Sequence, residues 1–169
     1  NAGQPAAGQP ILPQHRTPPL PLSFAQQRLW FLSQLEPDSH AYNMAEVVTL
    51  PADVDATALE RAFTGLVSRH ESLRTRFADN AGTPVQLIDP PARFHLTVTD
   101  FSSEPAALRR DRVLDYLNRC GRAPFDLAVG PLLFASLIHV SETEKLLFIN
   151  LHHIIADGWS MRVFARELF

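Results

Sequence analysis

An α+β fold is predicted from three features of the sequence. Leu59, Ala62, Phe63, Leu66 and Val67 recur at the spacing of one helix face. Two pairs of strand-like segments, 73–78 with 85–88 and 132–140 with 145–152, are each joined by a short turn-forming stretch. Further helical patterns lie before, between and after these pairs, and helices mixed with antiparallel neighbours in this order indicate α+β.

The elements follow in chain order. Residues 1–21, NAGQPAAGQPILPQHRTPPLP, carry six of the 14 prolines and no hydrophobic period. Such a stretch favours extended, polyproline-like conformations and is read as an interdomain linker to a preceding domain. Ser23-Phe24-Ala25-Gln26 has the form of a capping box, opening a helix expected to reach Leu35 before Pro37 stops it. Residues 45–50 (AEVVTL) suit a strand. The striped helix starts after Asp55 and ends near Arg69 and His70, whose basic side chains suit the negative end of the helix dipole. Asn80-Ala81-Gly82 supplies the turn of the first strand pair. Phe94, Leu96 and Val98 alternate as a half-buried strand. A third helix is predicted over 105–119, with Ser102 or Ser103 at its cap and Gly121 just past its end. Ser141-Glu142-Thr143-Glu144 turns the second strand pair. From Ser160 a last helical pattern sets Val163, Phe164 and Leu168 on one side. It runs to Phe169 without a stop signal, as expected of a chain cut inside a larger fold.

Composition narrows the function classes. A chain of 169 residues, 46% hydrophobic and 20% charged, is long and apolar enough for a sizeable core. Fifteen Lys and Arg against 18 Asp and Glu give no basic footprint for nucleic acid. The apolar run Leu146-Leu147-Phe148-Ile149 falls far short of the roughly 20 residues a membrane helix needs. With Cys120 the single cysteine, no internal disulfide forms, and a reducing, cytoplasmic setting is expected.

The residues with most chemical promise are Leu151-His152-His153-Ile154-Ile155-Ala156-Asp157-Gly158-Trp159-Ser160, where a buried strand gives way to a helix. Alternation along a strand sends His152 and His153 to opposite faces unless the strand ends between them. Gly158 is expected to close the turn, with a positive φ. Several readings of this stretch compete. Two core histidines with Asp157 capping the last helix would make it purely structural. His152, His153 and Asp157 as metal ligands is disfavoured by the opposed faces. Ser160 as a nucleophile competes with Ser160 as a helix cap, and Cys120 has no evident partner.

Three stretches, in order, resemble the signatures of condensation domains of non-ribosomal peptide synthetases. They are Ser23-Phe24-Ala25-Gln26-Gln27-Arg28-Leu29-Trp30-Phe31-Leu32, Arg69-His70-Glu71-Ser72-Leu73-Arg74-Thr75-Arg76-Phe77, and His152-His153-Ile154-Ile155-Ala156-Asp157-Gly158. The resemblance implies that residues 22–169 are the amino-terminal lobe of a two-lobed fold related to chloramphenicol acetyltransferase. A tunnel between the lobes would receive phosphopantetheine arms from a donor and an acceptor carrier protein. No cofactor would be bound by the domain itself. Peptide-bond formation would follow as the acceptor's α-amine attacks the donor thioester.

By position, the resemblance makes His153 the catalytic histidine and gives the Gly158 amide an oxyanion role. His152 and Asp157 become structural residues, with Arg69, or secondly Arg74, the salt-bridge partner of Asp157. The stretch from Phe24 through Gln34-Leu35-Glu36-Pro37 to Tyr42-Asn43 resembles the type that joins two L-residues. Intact histidines distinguish the chain from cyclising relatives. An epimerisation domain, a catalytically silent docking module and a freestanding acyltransferase of the same superfamily are the alternatives. One lobe alone is expected to be inactive.

Overall fold

The computed structural model describes residues 16–169. The elements are β1 (Leu20–Pro21), α1 (Phe24–Leu35), β2 (Asn43–Leu50), α2 (Ala56–Arg69), β3 (Thr75–Asn80), β4 (Thr83–Ile88), β5 (Thr97–Asp100), α3 (Ala106–Gly121), β6 (Leu133–His139), β7 (Lys145–His152) and α4 (Gly158–Leu168). One sheet has the order β1-β4-β3. The other has the order β2-β7-β6-β5. In the larger sheet β2, β7 and β6 are antiparallel, and β5 joins the edge of β6 in parallel. The α+β class with a mixed sheet is thus observed.

The alternation along β7 organises the core. Leu147, Ile149 and Leu151 face the same side as Leu137, Ala135 and Leu133, their direct partners on β6. All six are buried in one cluster with Leu59, Phe63, Leu66 and Val67 of α2 and with Phe164 and Leu168 of α4. The helical stripe read from the sequence is the face that α2 buries. On the opposite sheet face, Phe148 packs with Ile138 and with Tyr116 of α3. The sheet is therefore covered on both faces, and β7 runs through the middle of the domain.

Local signals explain several element ends. The Ser23 capping box forms with both of its hydrogen bonds, and Asp55 caps α2 through Ala58 N–H. The β3–β4 hairpin turns on Ala81 and Gly82, with φ of 52° and 83°. Positive φ at both central residues gives the twist that a two-residue hairpin requires.

Five expectations are corrected. Residues 1–15 of the expected linker lie outside the described residues, but its last residues are not free. Leu20 and Pro21 pair with Gln86 and Val85, and Arg16 is ion-paired with Glu71. Before β3, residues Glu71–Arg74 form a 3-10 turn, which takes in Leu73 and Arg74, the expected first residues of the strand.

The expected strand through Phe94, Leu96 and Val98 begins only at Thr97. Phe94 and Leu96 are buried, but by α2 rather than by a strand ladder. The Phe94 ring stacks on Phe63 at 4.8 Å, and the backbone N–H groups of Phe94 and Leu96 donate to the Thr64 hydroxyl and the Glu60 carboxylate. Finally, neither Ser102 nor Ser103 caps α3, which starts after Pro105 without a side-chain cap. Gly121 is its last residue rather than a terminator beyond it. A Cβ placed there would sit 3.7 Å from Ala45 and 3.8 Å from Phe148, ordinary van der Waals contact, so the helix end packs against the sheet without requiring a glycine.

Candidate active site

The two histidines leave β7 in different directions. His152 is the last residue of the strand, opposite Asn43. His153 lies just beyond, where its N–H donates to the Tyr42 carbonyl at 2.9 Å. The His152 ring is buried, 6.3 Å from the ring centroids of both Tyr42 and Phe125. Its Nδ1 accepts from the Ile154 N–H at 3.1 Å. Burial, assisted by the neighbouring His153, pushes its pKa down to about 4. The ring is therefore neutral near pH 7, and because Nδ1 accepts, the proton is on Nε2.

His153 is exposed and opens into a cleft of about 540 Å³. Ser23, Gln26 and Arg28 of the α1 region, Tyr42, and Asp157 and Ser160 from the α4 end complete much of its wall. The first and third signatures thus come together in space. The Gln26 side chain ties them directly, donating to the Ile154 carbonyl at 3.3 Å while its Oε1 accepts from the Ser23 N–H. This link between α1 and the histidine loop was not legible in the sequence, where Gln26 read as half of a capping box and as a member of the first signature.

Asp157 is the N-cap of α4. Its Oδ1 accepts from the Ser160 N–H at 2.8 Å and from the Ser160 hydroxyl at 2.7 Å. These bonds, the backbone one foremost, hold its carboxyl below the usual range. The capping role expected of Ser160 therefore belongs to Asp157, with Ser160 at the third helical position. Gly158 is the first residue of α4, does not have a positive φ, and is not among the residues that line the cleft. Replacing Asp157 by Ala is expected to cost about 1 kcal/mol of stability, and Asp157→Asn only a few tenths, because asparagine caps nearly as well. Denaturant midpoints of the two variants check this.

The expected salt bridge to Asp157 is not formed. Arg69 lies 3.6 Å from Glu167, which also meets the His70 ring at 2.6 Å. The second signature therefore fastens the end of α2 to the far end of α4, a full helix length from Asp157. Arg74 donates to the Asp89 carbonyl and lines a separate cavity of about 550 Å³ that contains neither His152 nor His153. Among the described residues no three His, Cys, Asp or Glu side chains converge as a metal site. No described helix is long and apolar enough to cross a membrane.

Known proteins place this arrangement. The chain is 46% identical over 160 residues to a linear gramicidin synthase polypeptide of Brevibacillus parabrevis, covering 95% of this chain and 2% of that protein. It is 48% identical over 148 residues to chondramide synthase cmdD of Chondromyces crocatus, covering 88% of this chain and 4% of that one. Among solved structures, the starter condensation domain of rhizomide synthetase RzmA superposes with a TM-score of 0.80 at 26% identity, over 88% of this chain and 37% of that one. The first condensation domain of the calcium-dependent antibiotic synthetase, in complex with a substrate analogue, gives 0.78 at 26% identity, over 88% and 36%. The chain therefore spans a small part of the synthetases and little more than a third of the solved domains. Residues 18–169 match the model of the condensation domain, and the chain belongs to that family.

Proposed function

We propose that this chain is the histidine-bearing lobe of a condensation domain that forms peptide bonds in non-ribosomal synthesis. The donor is a peptidyl or aminoacyl thioester, and the acceptor is the α-amine of an aminoacyl thioester. Both are carried on phosphopantetheine arms of partner carrier proteins, and the domain binds no cofactor of its own. The observation that carries this reading is the exposed His153 side chain in a 540 Å³ cleft walled by two of the three signatures.

The chemistry asks little of the histidine beforehand. A free α-amine titrates near roughly 7.7–8.0, so part of it is already neutral near pH 7. A thioester is an activated acyl donor. As the amine nitrogen attacks the carbonyl, a C–N bond forms and the C–S bond breaks. The ammonium proton passes to the His153 imidazole and then to the departing thiolate. A neutral imidazole, with one ring nitrogen free to accept, is suited both to orient the amine and to take that proton. The Gly158 N–H, next in the chain to the cleft-lining Asp157 and in the first turn of α4, is the proposed oxyanion donor, supported by the positive end of the helix dipole. Asp157 and His152 hold the loop that carries His153. The α1 stretch through Tyr42-Asn43 supports an L-to-L elongation type, and a cytoplasmic setting accords with the lone Cys120.

A complete domain given both loaded carriers is expected to form the amide. The present lobe, under the same conditions, is expected to form none, because a single lobe cannot enclose two pantetheine arms. Robust product from the lobe alone would contradict the two-lobe reading.

A further inference from the structure

Given the condensation reading above, on which this rests, we propose that Gln26 is a positioning residue for His153, its side-chain amide fixing the turn that sets the imidazole in the cleft. His153 and Ile154 are the central residues of that turn, which closes as the Ile155 N–H donates to the His152 carbonyl at 3.1 Å. Two more bonds fasten it to Tyr42 and to the end of β7. The His153 N–H donates to the Tyr42 carbonyl at 2.9 Å, and the Ile154 N–H to His152 Nδ1 at 3.1 Å. The Ile154 and Ile155 side chains are buried in the core. The Ile154 carbonyl takes no part in closing the turn, and Gln26 Nε2 donates to it at 3.3 Å. Gln26 is therefore the tie from α1 to a turn otherwise fastened from the sheet side.

The amide suits this task because both of its ends are engaged. Its Oε1 accepts from the Ser23 N–H at 2.9 Å, and the Gln26 N–H donates to Ser23 Oγ at 3.3 Å, so the side chain is held against the start of its own helix. The orientation is fixed, since a flipped amide would set oxygen against the Ile154 carbonyl and nitrogen against the Ser23 N–H. A capping box takes glutamate as readily as glutamine here, and the positive end of the helix dipole favours the acid. The first turn of α1 nevertheless carries no acidic residue. A carboxylate would serve the Ser23 N–H but has no hydrogen for Ile154. The tie needs the amide where the cap does not. Misplacing a reacting group by about 1 Å can slow a reaction about 10²-fold, so a slackened turn would show in the chemistry.

The test uses a complete condensation domain with both carriers loaded. Amide formation by the unaltered domain, and its slowing in His153→Ala, are measured first; failure of either would sink the condensation reading itself, whatever Gln26 does. Gln26→Glu keeps the capping box and removes the donor. Gln26→Met removes both side-chain bonds without bringing a charge into the cleft. Each is expected to lower the saturating single-turnover rate by about tenfold to 10²-fold, with half-saturating carrier concentrations unchanged. The urea midpoint of Gln26→Glu is expected to match that of the unaltered domain. In the His153→Ala background Gln26→Met is expected to slow the reaction no further, because a positioning residue acts through the imidazole it places. Should Gln26→Met fail to fold, the pH profile of Gln26→Glu decides: a lost donor lowers the plateau, whereas an added charge moves the midpoint. Should His153→Ala turn over too slowly to time, the rates and half-saturations of the single variants decide. Unchanged rates, slowing by glutamate alone, a loss confined to half-saturation, or an undiminished further loss in His153→Ala would each overturn the proposal.

Discussion

Replacing His153 by alanine in a complete domain is expected to slow amide formation by about 10²–10⁴-fold, the usual worth of a positioned general acid–base group. The fold is expected to tolerate the change. The backbone of His153 is held by the Tyr42 carbonyl whatever the side chain, and the imidazole makes no side-chain hydrogen bond among the described residues. Exposed substitutions of this kind usually stay within about 0.5 kcal/mol in stability. Truncating the neighbouring His152 should behave differently, because the Ile154 N–H would lose its acceptor inside the core. Single-turnover rates with saturating carriers, set beside thermal unfolding of each variant, separate the two roles. A slow but stable His153→Ala and an unstable His152→Ala are the expected pair.

Acidification is expected to cost the domain up to about 3 kcal/mol through His152 alone. The ring titrates at about 4 when folded, against 6.5 ordinarily, because burial disfavours its charged form. Between those values the unfolded chain holds more protons than the folded one. Stability from this group therefore falls as pH drops from 6.5 to 4 and levels off below. The carboxylates held low by their hydrogen bonds, Asp55, Glu60, Asp100, Asp157 and Glu167 among them, lose their contributions at lower pH still. The interval from pH 6.5 to 5 thus lies above the range in which these carboxylates lose their contributions, and the His152→Gln variant separates His152 from the other histidines. Urea unfolding at both ends of that interval should show a loss of about 2 kcal/mol that largely disappears in His152→Gln. An equal loss in the variant would remove His152 as the cause.

What could be read from the sequence was mostly local. The Ser23 capping box, the α2 stripe and the β6–β7 hairpin each depend on residues a few positions apart. The opposed histidines followed from strand alternation, and the structure sends them to separate surroundings. Features set by distant partners were misread. Phe94 and Leu96 alternate like a strand, yet α2 side chains take their backbone donors. Leu20-Pro21 looked like tether until its partner on β4 was known. Arg69 pairs with Glu167, far along the chain, because α2 lies against the end of α4 rather than its start. Asp157 and Ser160 are both good capping residues three positions apart. The chain's exit from β7 decides between them, so Asp157 caps and Ser160 binds back to it.

The location of the acyl group after reaction tests the central claim most directly. In a complete domain, with donor and acceptor carriers loaded, intact-protein mass spectrometry would follow the phosphopantetheine arm of each. The donor's acyl mass is expected to leave its own arm and appear on the acceptor's amine, and to stay on the donor in His153→Ala. Equal transfer by the variant, or release of the donor as free acid with the acceptor unchanged, would contradict the account.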